Sequence, residues 1–140
     1  MNETAHTGAK TFAGSCHCGA IRFEADIDLA RGTVRCNCSL CTKLRCWPAI
    51  VAPGAFRLMQ GSGEMTVYRC NSMTEQHLFC QHCGVRPYGI GNSPRWGEYY
   101  SVSVNCLDNL SDEERASAPV TYLDGKNDNF AAAPADVRNL

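Results

Sequence analysis

Cysteine spacing constrains this chain more than any other feature. Seven of its ten cysteines fall in three short groups: Cys16 and Cys18; Cys36, Cys38 and Cys41; Cys80 and Cys83. In an extended strand, residues two apart share a face and lie about 6.6 Å apart at Cα, near the upper limit for a disulfide. A tetrahedral zinc ion with Zn–S near 2.3 Å asks instead for sulfurs roughly 3.8 Å apart, which small rotations of same-face thiols supply. The start of the chain, Met1-Asn2-Glu3-Thr4-Ala5-His6, lacks the basic-then-apolar order of a signal peptide, and no apolar run approaches the roughly 18 residues of a membrane span. A cytoplasmic protein is expected, and there thiols stay reduced and clustered cysteines bind metal.

Each group has a recognisable local form. Cys80-Gln81-His82-Cys83-Gly84 is a zinc-knuckle turn, with glycine where a positive φ is required. Cys16-His17-Cys18-Gly19 offers a second pair with its own glycine, and the two pairs can close one four-sulfur structural site. Cys36-Asn37-Cys38-Ser39-Leu40-Cys41 brings three thiolates within six residues. Three protein ligands leave a fourth position for water or substrate, the arrangement that separates catalytic from structural zinc. Cys46, His17, His77 or His82 can close that site instead if folding brings one near. Two zinc ions per chain are expected.

The rest of the chain predicts an all-β (mainly β) domain. From Ala20 to Ile27, Ile21, Phe23, Ala25 and Ile27 alternate with Arg22, Glu24 and Asp26, the pattern of a half-buried strand. Shorter strands are expected at Ala49–Ala52, Phe56–Met59, Met65–Arg69, His77–Phe79 and Tyr99–Val104, separated by Gly- and Pro-rich turns. Helix is limited to one capping-box segment after Ser111, ended by Pro119, and one turn over Ser39–Leu44. Residues 1–10 read as a loose leader and 11–140 as a single domain whose tail from about Tyr122 is loop-like. Cys70, Cys106, Trp47, Trp96, Tyr99 and Tyr100 read as packing residues. With 13 Lys and Arg against 14 Asp and Glu, net charge −1, no basic field points to nucleic acid or anionic lipid.

Three ordered motifs carry a family resemblance. Gly14-Ser15-Cys16-His17-Cys18-Gly19-Ala20-Ile21-Arg22-Phe23, then Cys36-Asn37-Cys38-Ser39-Leu40-Cys41, then Phe79-Cys80-Gln81-His82-Cys83-Gly84 resemble the glutathione-dependent formaldehyde-activating (centromere protein V-like, GFA) family over roughly Thr11 to Asp108. The resemblance implies a β-tent fold of short antiparallel sheets. It also implies a structural zinc on Cys16, Cys18, Cys80 and Cys83 and a second, catalytic zinc on Cys36, Cys38 and Cys41. The implied activity is that of a carbon–sulfur lyase joining a thiol such as glutathione to an aldehyde, formaldehyde in the named case. A non-catalytic zinc-binding interaction module is the alternative on the same fold. The chain departs from the commonest pattern at Asn37, where many members have histidine, and at Cys106, where a small residue is common. Arg35, Lys43 and Arg45 flank the middle cluster and can hold a carboxylate.

Overall fold

A computed structural model describes residues 8–70 and 75–140. The described residues form ten strands in chain order: β1 (Lys10–Ser15), β2 (Arg22–Ile27), β3 (Thr33–Cys36), β4 (Pro48–Val51), β5 (Phe56–Gln60), β6 (Met65–Tyr68), β7 (Gln76–Cys80), β8 (Tyr88–Ser93), β9 (Gly97–Ser103) and β10 (Val120–Leu123). Two helices of six residues each join them, α1 (Ser39–Leu44) and α2 (Asp112–Ser117). Strands β1-β2-β5 make one antiparallel sheet and β4-β9-β8-β7-β6 a second. The remaining pair, β10 with β3, runs parallel. The architecture is thus a mixed one dominated by short antiparallel sheets, as expected, with two short helices and one parallel strand pair.

The alternation predicted for β2 holds. Ile21, Phe23, Ala25 and Ile27 are all buried while their neighbours face outward. Two sheets meet through aromatic rings: Phe56 of β5 lies 5.2 Å from Phe23, 4.4 Å from Tyr88 of β8 and 4.7 Å from Tyr100 of β9, centroid to centroid. Burying a ring such as Phe23 contributes about 2–3 kcal/mol. Trp47 packs in the same core, and its Nε1–H donates to Thr33 Oγ1 at 2.7 Å. The indole thereby fixes β3 against the chain entering β4.

Both helices form where the capping chemistry places them. Ser111 Oγ accepts from the Glu114 N–H while the Glu114 carboxylate accepts from the Ser111 N–H, and the helix stops one residue before the Ala118-Pro119 step. The reading differs from the structure at both ends of the domain. Lys10, assigned to the leader, opens β1 opposite Ile27, and residues 1–7 lie outside the described residues. Tyr122 and Leu123, assigned to a loop-like tail, belong to β10, where Leu123 is buried opposite Cys36.

Candidate metal centres

The first cysteine group is assembled from two turns. Cys16 and Cys18 lie in the connection between β1 and β2, which closes through Cys16 N–H to Ile21 O at 3.1 Å and Gly19 N–H to Cys16 O at 3.3 Å. Cys80 ends β7 and Cys83 lies in the following turn, where Gly84 takes φ +78° and donates to Cys80 O at 2.8 Å. The knuckle glycine expected from sequence is therefore required by the backbone. The four sulfurs lie within 4.8 Å of one another, with Cys16–Cys18 at 3.8 Å and Cys18–Cys80 at 3.6 Å. Those two separations match the edge of about 3.8 Å expected for four sulfurs around a zinc ion.

Backbone N–H groups converge on the same sulfurs. Ile21 donates to Cys16 Sγ at 3.3 Å, and His82 and Cys83 donate to Cys80 Sγ at 3.4 and 3.5 Å. Such donors favour thiolate, and the Val85 backbone holds the Cys83 thiol down to about 6. Cys16 and Cys80 are buried, and Cys18 is exposed. The donor set, its spacing and its hydrogen bonds fit a four-thiolate metal site.

The second group sits on one short segment. Cys36 ends β3, Cys38 caps α1 by accepting from the Cys41 N–H, and Cys41 lies in the first turn of that helix. Their sulfurs also lie within 4.8 Å of one another. Hydrogen bonds from Cys36 and then Cys41 draw the Cys38 thiol down to about 2, while Cys36 and Cys38 push Cys41 far up. Three sulfurs this close do not all ionise unless a cation compensates them, so the set fits a metal as well. A cavity of about 10 Å³ opens beside the cluster between Arg35, Cys36, Cys41, Arg45 and Cys46, with Thr42, Asn139 and Leu140 also in its lining. The Arg35 guanidinium is held over the Trp47 ring at 4.8 Å, and Arg45 Nη1 donates to Asn139 O at 3.4 Å.

Asn37, between the first two ligands of this group, binds the segment that covers it. Its side-chain amide donates to Asp124 Oδ1 at 2.9 Å and its Oδ1 accepts from the Lys126 N–H at 2.9 Å. Its own N–H donates to Leu123 O at 3.2 Å. Gly125 is thereby laid on the cluster, so closely that a Cβ there would meet Cys36 Sγ at 2.6 Å. Asn37, Asp124 and Gly125 were not singled out as site residues from sequence. The only signals were the unusual Asn37 and the Asp124-Gly125 step in the tail.

Among the described residues, no histidine joins either group. His17 and His82 are exposed, the latter bonded to Glu64 at 3.0 Å. His77 is buried, accepting at Nδ1 from Arg86 Nε–H at 3.1 Å and facing Glu75 at 3.4 Å through Nε2. All ten cysteines are free thiols. Cys106 packs against the core, and burial pushes its thiol up to about 11. Cys46 lines the cavity but is outside the mutually adjacent three.

Fold and site together define a small, mainly antiparallel β protein with two cysteine groups that can each hold a metal ion. Comparison with known families makes this specific: the model of the glutathione-dependent formaldehyde-activating enzyme family matches residues 11–123, and the chain belongs to that family. Among solved structures it is similar to a Rhodobacter sphaeroides protein determined as a structural-genomics target. The two are 27% identical with a TM-score of 0.66, over 78% of this chain and 99% of that one. Among the described residues, no helix is long and apolar enough to cross a membrane.

Proposed function

We propose that this chain is a zinc-dependent enzyme of carbon–sulfur lyase type, joining a small thiol such as glutathione to an aldehyde such as formaldehyde. Cys16, Cys18, Cys80 and Cys83 would enclose a structural zinc, and Cys36, Cys38 and Cys41 would hold a second zinc, two per chain. The observation that carries the reading is the contrast between the two groups. Four sulfurs close the first, whereas three sulfurs beside a small cavity make up the second. A zinc ion at the second site would lower the pKa of an added thiol and favour its thiolate.

The chain's own residues account for the remaining requirements. Asn37 and Gly125 cover one side of the cluster, and the cavity gives access on another. Arg35, locked over Trp47, and Arg45 line that access and suit a thiol that carries carboxylates, while Lys43 adds charge on the same helix. The free state of every cysteine suits a reducing compartment such as the cytoplasm.

The deciding experiment follows labelled formaldehyde and glutathione by carbon NMR with the untagged, zinc-loaded protein. Adduct exchange faster than the uncatalysed reaction, and lost in Cys41→Ser, is expected. No acceleration with glutathione or with other thiols and aldehydes would favour the non-catalytic zinc module.

A further inference from the structure

Cys46 is the one cysteine at the second site that the reading above leaves without a task. It reaches the cavity because of a backbone feature that a side chain rarely adopts. Arg45 ends α1 in the left-handed conformation, φ +51° and ψ +48°, without being glycine. Arg45 and then Cys46 are turned back toward the helix, and the Cys46 N–H donates to Cys41 O at 3.2 Å. A non-glycine residue in this region costs of order 1 kcal/mol, so the turn is maintained against an intrinsic preference. Its result is that Cys46 lines the same small cavity as Cys36 and Cys41.

The position of Cys46 is intermediate. It is beside one vertex of the three-sulfur cluster, yet it is not among the sulfurs that lie within 4.8 Å of one another. The small cavity beside the cluster is lined by Cys46 itself and has room for about one water, so a thiol entering there would meet the Cys46 side chain. We infer that Cys46 is an exchangeable fourth ligand of the second centre, bound when no substrate thiol is present and displaced when one arrives. This rests on the proposed function, since it takes the second centre to hold zinc and to accept a thiol.

The exchange balances without an external base. With zinc held at the second centre, Cys46 would yield its place to the sulfur of the entering thiol, and the thiol proton would pass to the Cys46 sulfur. When the thiolate sulfur adds to the carbonyl carbon, one carbon–sulfur bond forms and the carbonyl π bond breaks. The carbonyl oxygen takes the proton back from Cys46. Cys46 would then return to its place as the hydroxyalkyl thioether product leaves. Nothing is oxidised or reduced beyond the addition itself.

The test uses full-length protein with cobalt in both sites, comparing wild type with Cys46→Ser. Sulfur-to-cobalt charge-transfer intensity reports the number of bound sulfurs. Without added thiol, the variant is expected to lose the intensity of about one sulfur per chain. Glutathione restores that intensity in the variant. In the wild type it leaves the intensity nearly unchanged but makes Cys46 alkylatable at least tenfold faster, as mapped by mass spectrometry. Equal intensity in the two proteins without thiol, with Cys46 alkylated at the same rate whether or not glutathione is present, would overturn the inference and leave the proposed function standing. Loss of one sulfur in the variant with no response to glutathione in the wild type would make Cys46 a permanent ligand, and the proposed open site would fail instead. Should Cys46→Ser not fold, the wild-type alkylation rates alone decide the matter.

Discussion

Gly125 shows how much of the second centre depends on an atom that is missing. Cys36 Sγ and Cys38 Cβ occupy the space a side chain would need there, because Asn37 pins the residues on either side of it. In Gly125→Ala the added methyl would stand 2.6 Å from Cys36 Sγ, closer than any tolerated contact, and a tight 3.0 Å from Cys38 Cβ. Either the covering turn lifts or the sulfur moves. Overpacking of this kind costs about 1–3 kcal/mol, so zinc affinity at the second centre should fall about tenfold or more while the first centre is untouched. Titration with a competing chelator that resolves two binding steps checks this: a weakening of both steps, or of neither, contradicts it. The seven clustered cysteines were legible in the sequence because their spacing alone implies converging sulfurs. Asn37 and Gly125 were not, because their roles arise from partners almost ninety residues apart in the chain, brought together by a parallel pairing of two four-residue strands.

Strand β7 couples the first centre to a buried polar network. It ends in Cys80 and carries His77, which lies between Arg86 and Glu75; Arg86 Nη2–H donates to Ser101 Oγ at 2.9 Å and Tyr99 O–H to Glu75 at 3.1 Å. Burial, and next the Arg86 guanidinium, hold His77 below the ordinary imidazole value. The unfolded chain therefore takes up a proton near pH 6.5 that the folded chain declines. This contribution to stability is complete above about pH 6.5 and declines as pH falls below it. In His77→Asn, whose side-chain oxygen can still accept from Arg86, that part of the pH dependence should vanish. Urea melts at pH 7.5 and 5.5 compare the two proteins, and acid effects on the cysteines are common to both. Equal slopes would mean that His77 does not titrate as described. Strand β2 was legible because its half-buried face imposes a period of two. Strand β8 was not, since its Gly89 and Gly91 resemble turn residues until Arg86 and Tyr99 are seen to lie across them.

The two centres hold different parts of the molecule, and their removal should have different consequences. The first joins the β1–β2 connection to the β7–β8 turn, linking the three-stranded sheet to the five-stranded one across about sixty residues. The second joins the end of β3 to α1 within six residues, and hydrogen bonds from Asn37 already hold its cover. Apparent binding free energies of structural zinc reach about 10–16 kcal/mol in small domains, as large as the whole net stability of a typical domain, about 5–15 kcal/mol. A bond between sheets contributes that energy to the global fold, whereas a bond within one segment contributes it to a local conformation. Cys83→Ser is therefore expected to abolish cooperative folding, and Cys41→Ser to leave the fold intact with one zinc per chain. Circular dichroism melts and zinc content on freshly reduced protein distinguish the two. A strong chelator should reproduce the pair in sequence, first releasing one zinc with the spectrum unchanged, then unfolding the chain with the second. A folded, metal-free protein would show that the aromatic contacts of Phe56 with Phe23, Tyr88 and Tyr100 suffice to hold the sheets together. The aromatic cluster, rather than the sulfurs of Cys16, Cys18, Cys80 and Cys83, would then be what closes the fold.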